Sequence, residues 1–393
     1  MGICIMLTEG FFVHFSKLED PRIVNHNSRH KFFDIIVMAF IAVLCGCDDW
    51  VEVARFCKAK QKLFKELLEL PNGIPSHDTF GRVFSIIDGE HFEEIFSEWM
   101  HEIFNKTDGE IIALDGKTIR AARARGNKKG IHMVSAWACY NKLTLASVKV
   151  ADKTNEITAI KKILTLLDIS KCTVTIDAIG CQREIAKEII TRGGNYVLCV
   201  KDNQKEVRSA ISTCFNIVEQ RPFKEYSDTG EQKEKSHGRI EARRYLSMPL
   251  TYTEYLKKDW DGIKSITKVI RTRTTDEKTE EGIWYYISSH EYTSDKIAEA
   301  IRSHWNIENN LHWQLDISFH EDQCRARIKN AAECISLLRK ISMAYLKKET
   351  QSKVGIKCKR KMACWDDQYL VDVLTLANQD SDKECEKSLT ENV

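Results

Sequence analysis

The chain has 393 residues, of which 30% are charged and 43% hydrophobic, and its formal net charge is +2. This balance is typical of a soluble globular protein and excludes a disordered or fibrous chain, and the length predicts more than one domain. Because the net charge is close to zero, any nucleic-acid contact must be a local basic patch. The 14 cysteines are scattered, and several stand in apolar runs, which predicts reduced core thiols and not a disulfide framework. Cys358 and Cys364 lack a second pair of Cys or His at the spacing of a zinc site.

Residues 1–105 predict a small all-helical domain. Apolar residues recur at helical spacing from residue 31 to about residue 70, and the Pro- and Gly-containing stretch 71–80 forms a turn. Ser76 or Asp78 is expected to cap the helix that follows. The longest apolar run, residues 32–47, is shorter than the about 20 residues of a membrane span and contains Asp34, so we expect a buried helix and no membrane contact. The N-terminus carries neither a basic leader nor a cleavage site, so we expect a cytoplasmic protein.

From residue 106 the pattern changes to that of an α/β domain. Hydrophobic runs at 110–115, 131–140 and 143–150 predict three consecutive strands. A helix from Asn155, a strand that ends at Asp177, a helix from Arg183 and a strand at 195–200 follow. The predicted order is therefore β-β-β-α-β-α-β.

The rest of the chain is less regular. Residues 203–282 contain segments in which apolar and polar residues alternate, set among charged turns, and this pattern predicts a β-rich insertion. A helix that begins near Ser294 is predicted to follow and to carry Glu308. Residues 347–393 comprise a basic stretch and an acidic tail from Asp380, which we expect to be disordered.

Two aspartates close hydrophobic runs and are candidate metal ligands. Asp115 ends IALD and Asp177 ends VTID, each with a glycine within the next three residues. A carboxylate at a strand end lies at the edge of a sheet, where ligands bind in open α/β folds. With a third acid from a helix, the pair would form the oxygen-rich site that Mg²⁺ or Mn²⁺ prefers and that phosphoryl transfer uses. For either residue alone, capping of the following turn remains the alternative.

A basic segment directly follows the first of these acids. Because a loop that leaves a metal site is a natural path for DNA phosphates, we expect it to contact the backbone of DNA, although a solvated charged turn is the alternative. Its basic residues are Lys117, Arg120, Arg123, Arg125, Lys128 and Lys129. A second basic cluster, residues 347–361, is less specific.

Several motifs stand in order along most of the chain: LEDPR (18–22), GIPSHDTFGRV (73–83), LDGKT (114–118), NEITAI (155–160), DAIGCQ (177–182), VKDNQ (200–204), EKSHGR (234–239), YYISS (285–289) and IRSHWNIENNLHWQLD (301–316). With these motifs the chain resembles the H-repeat-associated family of bacterial insertion-sequence DDE transposases. The resemblance implies a helical N-terminal domain, then a ribonuclease-H-like catalytic domain over residues 106–346. In that fold the first and fourth strands are adjacent, and the catalytic acids and metal ligands would be Asp115, Asp177 and Glu308.

The implied activity is metal-dependent cleavage and strand transfer at transposon ends, with two Mg²⁺ or Mn²⁺ ions. The expected partner is double-stranded DNA, bound by a homo-oligomer. Further DNA contacts are expected at Lys201, His237, Arg239, Arg302, His304 and His312. The alternatives are a nuclease of the same fold without strand transfer and a decayed transposase that binds DNA without cutting it.

One departure from the family pattern concerns the third acid. Related transposases carry Y-x2-R-x3-E-x6-K around the glutamate, whereas this chain has Ile301, His304, Glu308 and Leu315 at those places. Glu321 and Asp322 are therefore reserve candidates for the third acid. The spacing of His304, Glu308 and His312 also permits a zinc site on one helix, which we disfavour against phosphate contacts, support of the metal ligands, or simple packing.

Overall fold

The computed structural model describes residues 11–23, 28–104, 108–123, 130–150, 156–220, 226–236, 239–251, 253–275 and 278–376. Within these ranges six helices come first, as an N-terminal helical region was predicted. Their bounds are α1 Phe11–Phe15, α2 Phe32–Leu44, α3 Trp50–Ala59, α4 Gln61–Leu67, α5 His77–Ile86 and α6 Gly89–Glu102. Ser76 caps α5, because its side chain accepts a hydrogen bond from the Thr79 amide. Helix α2 is buried along its length apart from Phe33, as the apolar run predicted.

A mixed α/β region follows, in the predicted order. It comprises β1 Ile111–Ile119, β2 Ile131–Ala138, β3 Leu143–Val150, α7 Glu156–Leu166, β4 Thr173–Ile176, α8 Arg183–Thr191 and β5 Asn195–Val200. Strand β1 lies between β2, which is antiparallel to it, and β4, which is parallel. The expected adjacency of the first and fourth strands is therefore confirmed. The prediction that the first strand ends at Asp115 was wrong, however, because β1 continues to Ile119 in register with β2.

The β-rich insertion extends this sheet. Helix α9 (Lys205–Glu219) precedes strands β6 Ser227–Ser236, β7 Arg239–Pro249, β8 Ser265–Thr274 and β9 Thr279–Ser288. Strand β9 pairs antiparallel with β5, so that one nine-stranded sheet has the order β3-β2-β1-β4-β5-β9-β8-β7-β6. The insertion is thus continuous with the rest of the sheet by backbone hydrogen bonds.

The last part of the chain is helical and connects the sheet to the N-terminal helices. It comprises α10 Asp295–Ile307, a π-helical segment Glu308–His312, α11 Trp313–Phe319, α12 Ala331–Lys348, α13 Ile356–Trp365 and α14 Asp367–Leu376. Tyr345 of α12 packs on Phe40 of α2 and stacks on Trp99 of α6, with ring centroids 5.2 Å and 5.3 Å apart. The N-terminal helices therefore share a continuous apolar interior with α12.

Three further expectations concern the C-terminal basic stretch, the cysteines and membrane-spanning helices. Helices α13 and α14 occupy much of the predicted basic stretch and bury Lys359 and Arg360, whereas the acidic tail from Asp380 lies outside the described residues. Ten of the cysteines in the described ranges are buried and free, as reduced core thiols should be. Among the helices that the structure describes, none combines the length and the apolar character that crossing a membrane requires.

Candidate active site

The register of β1 and β4 brings the two aspartates together. Leu114 pairs with Ile176 in the last step of this parallel ladder, so Asp115 and Asp177 are the next residues on two neighbouring strands. Strand neighbours lie about 4.8 Å apart. Asp115 stands inside β1 at the level where β4 ends. Asp177 begins a 3-10 turn and accepts a hydrogen bond from the Ile179 amide at 3.0 Å, so it also caps the turn that the alternative interpretation predicted.

The glycines next to these aspartates keep the backbone close to its neighbours. A Cβ atom on Gly116 would lie 2.5 Å from Nε2 of His132, and one on Gly180 would lie 2.2 Å from Cγ2 of Ile176. Both distances are shorter than van der Waals contact, so a larger residue at either position would require His132 or Ile176, or the backbone beside it, to move. Close packing therefore favours glycine in LDGKT and DAIG.

The third acid reaches the site from a distorted helix. Between α10 and α11 the backbone widens into a π-helical turn, in which the Trp313 amide donates to the carbonyl of Glu308, five residues earlier. Such single π turns are frequent at functional sites. Glu308 and His312 lie at the two ends of this turn. Glu308, His312 and Asp115 each offer one potential metal-ligand atom, and these three atoms all lie within 4.8 Å of one another. The turn thus directs an exposed carboxylate and a buried imidazole toward β1.

The electrostatics of Asp115 suit a bound cation. Burial, followed by the negative charges of Glu308, Asp177 and Glu156, raises the pKa of Asp115 to about 7. A divalent ion would reverse these repulsions and favour the ionised carboxylate. The donor set of two carboxylates and one imidazole is chemically suited to a divalent metal, and Asp177 is close enough to act on Asp115 electrostatically.

The two histidines of this helix have separate environments. His312 has its Nδ1 atom 3.5 Å from Oδ2 of Asp115, and burial lowers its pKa to about 3, with a further contribution from Lys117. His304 bonds to the backbone of Thr175, and burial lowers its pKa to about 4 against the opposing effect of Asp177. Both rings are therefore neutral near pH 7. The metal-ligand group found among the described residues contains His312 but not His304, so the hypothetical zinc site with both histidines is not formed.

Lys117 ties the glutamate-bearing segment to β1. Its ammonium lies 2.7 Å from Asp316 of α11 and 3.3 Å from both Glu321 and Asp322. Lys117 and Asp115 are two positions apart on one strand, so their side chains project from the same face of the sheet. This cation therefore holds α11 and the turn after it against the strand that carries Asp115.

The reserve acids are occupied by this network. Burial alone would raise the pKa of Glu321, but attraction to Lys340 and Lys117 lowers it to about 2. Glu321 also accepts a hydrogen bond of 2.7 Å from Ser336, and Asp322 pairs with Arg120. Neither acid belongs to the group that converges on Asp115, whereas Glu308 does.

A second lysine forms a hydrogen bond to the backbone of the π-helical turn. Lys347, at the end of α12, donates to the carbonyl of Asn310 at 3.1 Å and lies over the ring of Trp137 at 4.0 Å. Asn310 is inside the π-helical turn. Helical periodicity around Glu308 gave no signal for the widened turn. The contacts of Lys117 and Lys347 join segments that are distant along the chain, so no local pattern indicates them.

The candidate DNA contacts differ in their surroundings. Arg302 forms a two-pronged pair with Glu234, Arg120 pairs with Asp322, and Arg123 bonds to the carbonyl of Arg120. Lys201 is exposed directly after β5. Arg125, Lys128, Lys129 and His237 lie outside the described residues, as does the side chain of Arg239.

A groove of about 580 Å³ lies between the insertion strands and the glutamate-bearing helices. Trp305 and Trp313 line it and are 43% and 55% exposed. The guanidinium of Arg271 stands over the Trp305 ring at 5.2 Å. The places that a tyrosine and a lysine take in related transposases hold Ile301 and Leu315, which are buried here and pack in the core.

Comparison with known proteins agrees with the motifs. The family model for the transposase DDE domain matches residues 106–346, and the model described as DDE_Tnp_1-associated matches residues 12–100. The protein YncI of Escherichia coli O157:H7, whose name describes a transposase, is 41% identical over 358 residues, which cover 89% of this chain and 91% of that protein. YhhI of Escherichia coli K12, named as an H repeat-associated transposase, is 36% identical over 356 residues, covering 88% and 92%. A cryo-EM structure of a piggyBac transposase synaptic complex with hairpin DNA aligns with a TM-score of 0.44 and 12% identity over 97% of this chain and 79% of that chain. The domain match and the two bacterial relatives together show that the chain belongs to the H-repeat-associated family of DDE transposases.

Proposed function

We propose that this transposase has a ribonuclease-H-like catalytic domain and cleaves and rejoins phosphodiester bonds at the ends of an insertion sequence. The observation that carries the proposal is the approach of Glu308 to Asp115, which is itself next to Asp177 in the register of the sheet. Acids separated by up to 193 positions along the chain would have no packing reason to meet. Burial, followed by the negative charges of Glu308 and Asp177, raises the pKa of Asp115 to about 7, and a bound cation would offset this cost of ionising the carboxyl.

In this proposal Asp115, Asp177 and Glu308 hold two Mg²⁺ or Mn²⁺ ions. When bound, such ions polarise the scissile phosphate and lower the pKa of the attacking water or hydroxyl. The chain contributes the fixed positions of the ligands. Lys117 and Lys347 brace the turn that carries Glu308, so that its carboxylate needs little reorganisation to meet Asp115.

The proposed partner is double-stranded DNA, at the transposon end and at the target. Exposed Lys201 and Arg123 would contact phosphates. The rings of Trp305 and Trp313 in the groove would stack only on a base that has left the duplex. Arg120 and Arg302 would have to exchange a carboxylate partner for a phosphate. Joining two ends requires two active sites, so we propose a homo-oligomer on DNA.

The test is cleavage of a duplex that carries the DNA flanking the reading frame, in the presence of Mg²⁺. Replacing Asp115 or Asp177 by Asn should abolish cleavage and leave affinity for the duplex nearly unchanged, because the acids serve the metal and other residues serve binding. Glu299→Gln is the matched control, since it removes a carboxylate of α10 that pairs with Lys296 instead of approaching the cluster. Wild-type cleavage by either aspartate variant would refute the assignment.

The same assay separates the competing functions. A nuclease would cleave the duplex without joining the new 3′ end to a second DNA, whereas a transposase would yield the joined product. A decayed copy would bind the duplex and yield neither product. The intact arrangement of Asp115 and Glu308 favours the active enzyme over the decayed one.

A further inference from the structure

His312 is placed as a ligand would be. Its side chain is 11% exposed, lies at the end of the π-helical turn and has Nδ1 3.5 Å from Oδ2 of Asp115. Ligand atoms on neighbouring corners of an octahedral ion stand about 3 Å apart, given metal–ligand distances of about 2.1 Å. The distance of 3.5 Å between Nδ1 and Oδ2 therefore fits two ligands of one ion after a small adjustment.

Hydrogen bonding does not account for the buried position of the His312 ring. Within the described part of the chain, Nε2 of His312 is buried and has no hydrogen-bond partner. Leaving such a group unsatisfied destabilises the fold. A simple packing role would be served better by an apolar residue, as at the buried neighbours Leu311 and Leu315.

We propose that His312 supplies an imidazole nitrogen to the ion held between Asp115 and Glu308, and that this position therefore prefers Mn²⁺ and later transition metals to Mg²⁺. The inference rests on the proposed function, since it assigns a fourth ligand to the same site. Magnesium favours oxygen ligands, whereas imidazole favours transition-metal ions. An ion held by Asp115 and Asp177 would receive only oxygen atoms from these two residues. The two positions would thus differ in metal preference.

The decisive readout is spectroscopic and does not require activity. Pulsed electron paramagnetic resonance of the wild-type protein with one equivalent of Mn²⁺ should show coupling between the Mn²⁺ electron spin and a histidine nitrogen, and this coupling should respond to ¹⁵N-histidine labelling. In His312→Ala the coupling should disappear. His304→Gln is the matched control on the same helix and should keep it, because His304 lies outside the ligand group.

Affinity gives a second measure. His312→Ala should weaken Mn²⁺ binding by roughly tenfold or more and Mg²⁺ binding much less, since a nitrogen ligand is lost. Equal losses for both ions would mean that the ring acts only through a hydrogen bond to Asp115, and would overturn the inference. If His312→Ala fails to fold, the ¹⁵N-histidine spectrum of His304→Gln takes its place: coupling that persists supports His312, and its absence overturns the inference.

The outcomes separate this inference from the proposed function. Mn²⁺ that binds with no nitrogen coupling, together with metal-dependent cleavage, would leave the transposase assignment standing and remove His312 from the ligand set. Absence of any binding of Mn²⁺ or Mg²⁺ at the site, with or without DNA, would refute both.

Discussion

Replacing Asp115 by Asn should stabilise the metal-free protein. The carboxyl is 16% exposed, and its pKa is about 7 instead of the ordinary 3.8. At about 1.4 kcal/mol per pH unit, ionising Asp115 in the folded state opposes folding by up to about 4 kcal/mol. This cost is full above pH 7 and disappears as the pH falls toward 3.8. Because the Asn amide is neutral at every pH, we expect Asp115→Asn to raise the free energy of unfolding by about 2 to 4 kcal/mol at pH 8.

The assay is urea unfolding followed by tryptophan fluorescence, in the presence of a chelator. Between pH 8 and pH 5 the advantage of the variant should shrink by about 2 to 3 kcal/mol, since the wild-type carboxyl is protonated at the lower pH. Asp372→Asn, which changes an exposed aspartate of α14, is the control and should show no such dependence. Mg²⁺ should narrow the difference at pH 8 by binding to the wild type. No gain at pH 8, or a gain that is the same at both values, would contradict the electrostatic account of the site.

Three further predictions follow from the same contacts. Lys117→Met should lower the free energy of unfolding by about 3 kcal/mol in urea titrations, because buried Glu321 loses a partner, and a change below about 1 kcal/mol would count against the bracing role. Mn²⁺ affinity should fall by close to tenfold per pH unit below about pH 7, because Asp115 takes up a proton there. Calorimetric titration at pH 6 and pH 8 measures this change, and equal affinities at the two pH values would contradict the prediction. Replacing Arg120, Arg123 and Arg125 together by Ala should weaken specific and nonspecific duplexes alike and reduce the salt slope by about one per lost phosphate contact, whereas an unchanged slope would mean that these arginines face solvent.

Local patterns were sufficient for much of the fold. The apolar runs predicted β3 and β5 at their observed bounds, and the single-face pattern after Ser294 predicted the helix that leads to Glu308. Family motifs added the adjacency of the first and fourth strands, which hydrophobic pattern alone does not specify. The end of β1 was misplaced, because Gly116 and Lys117 interrupt the hydrophobic run while the backbone still pairs with β2. Strand length here depends on a partner strand and not on side-chain hydropathy.

The sequence by itself determined the family, the element order and the acids to consider. Only the tertiary structure decided that Glu308, and neither Glu321 nor Asp322, approaches Asp115. It also gave Lys117 carboxylate partners 199 to 205 residues away, in a segment where the basic pattern had predicted a free DNA contact. Charge and periodicity are local properties of the chain, whereas the partner of a charge and the width of a helical turn depend on segments that meet only after folding.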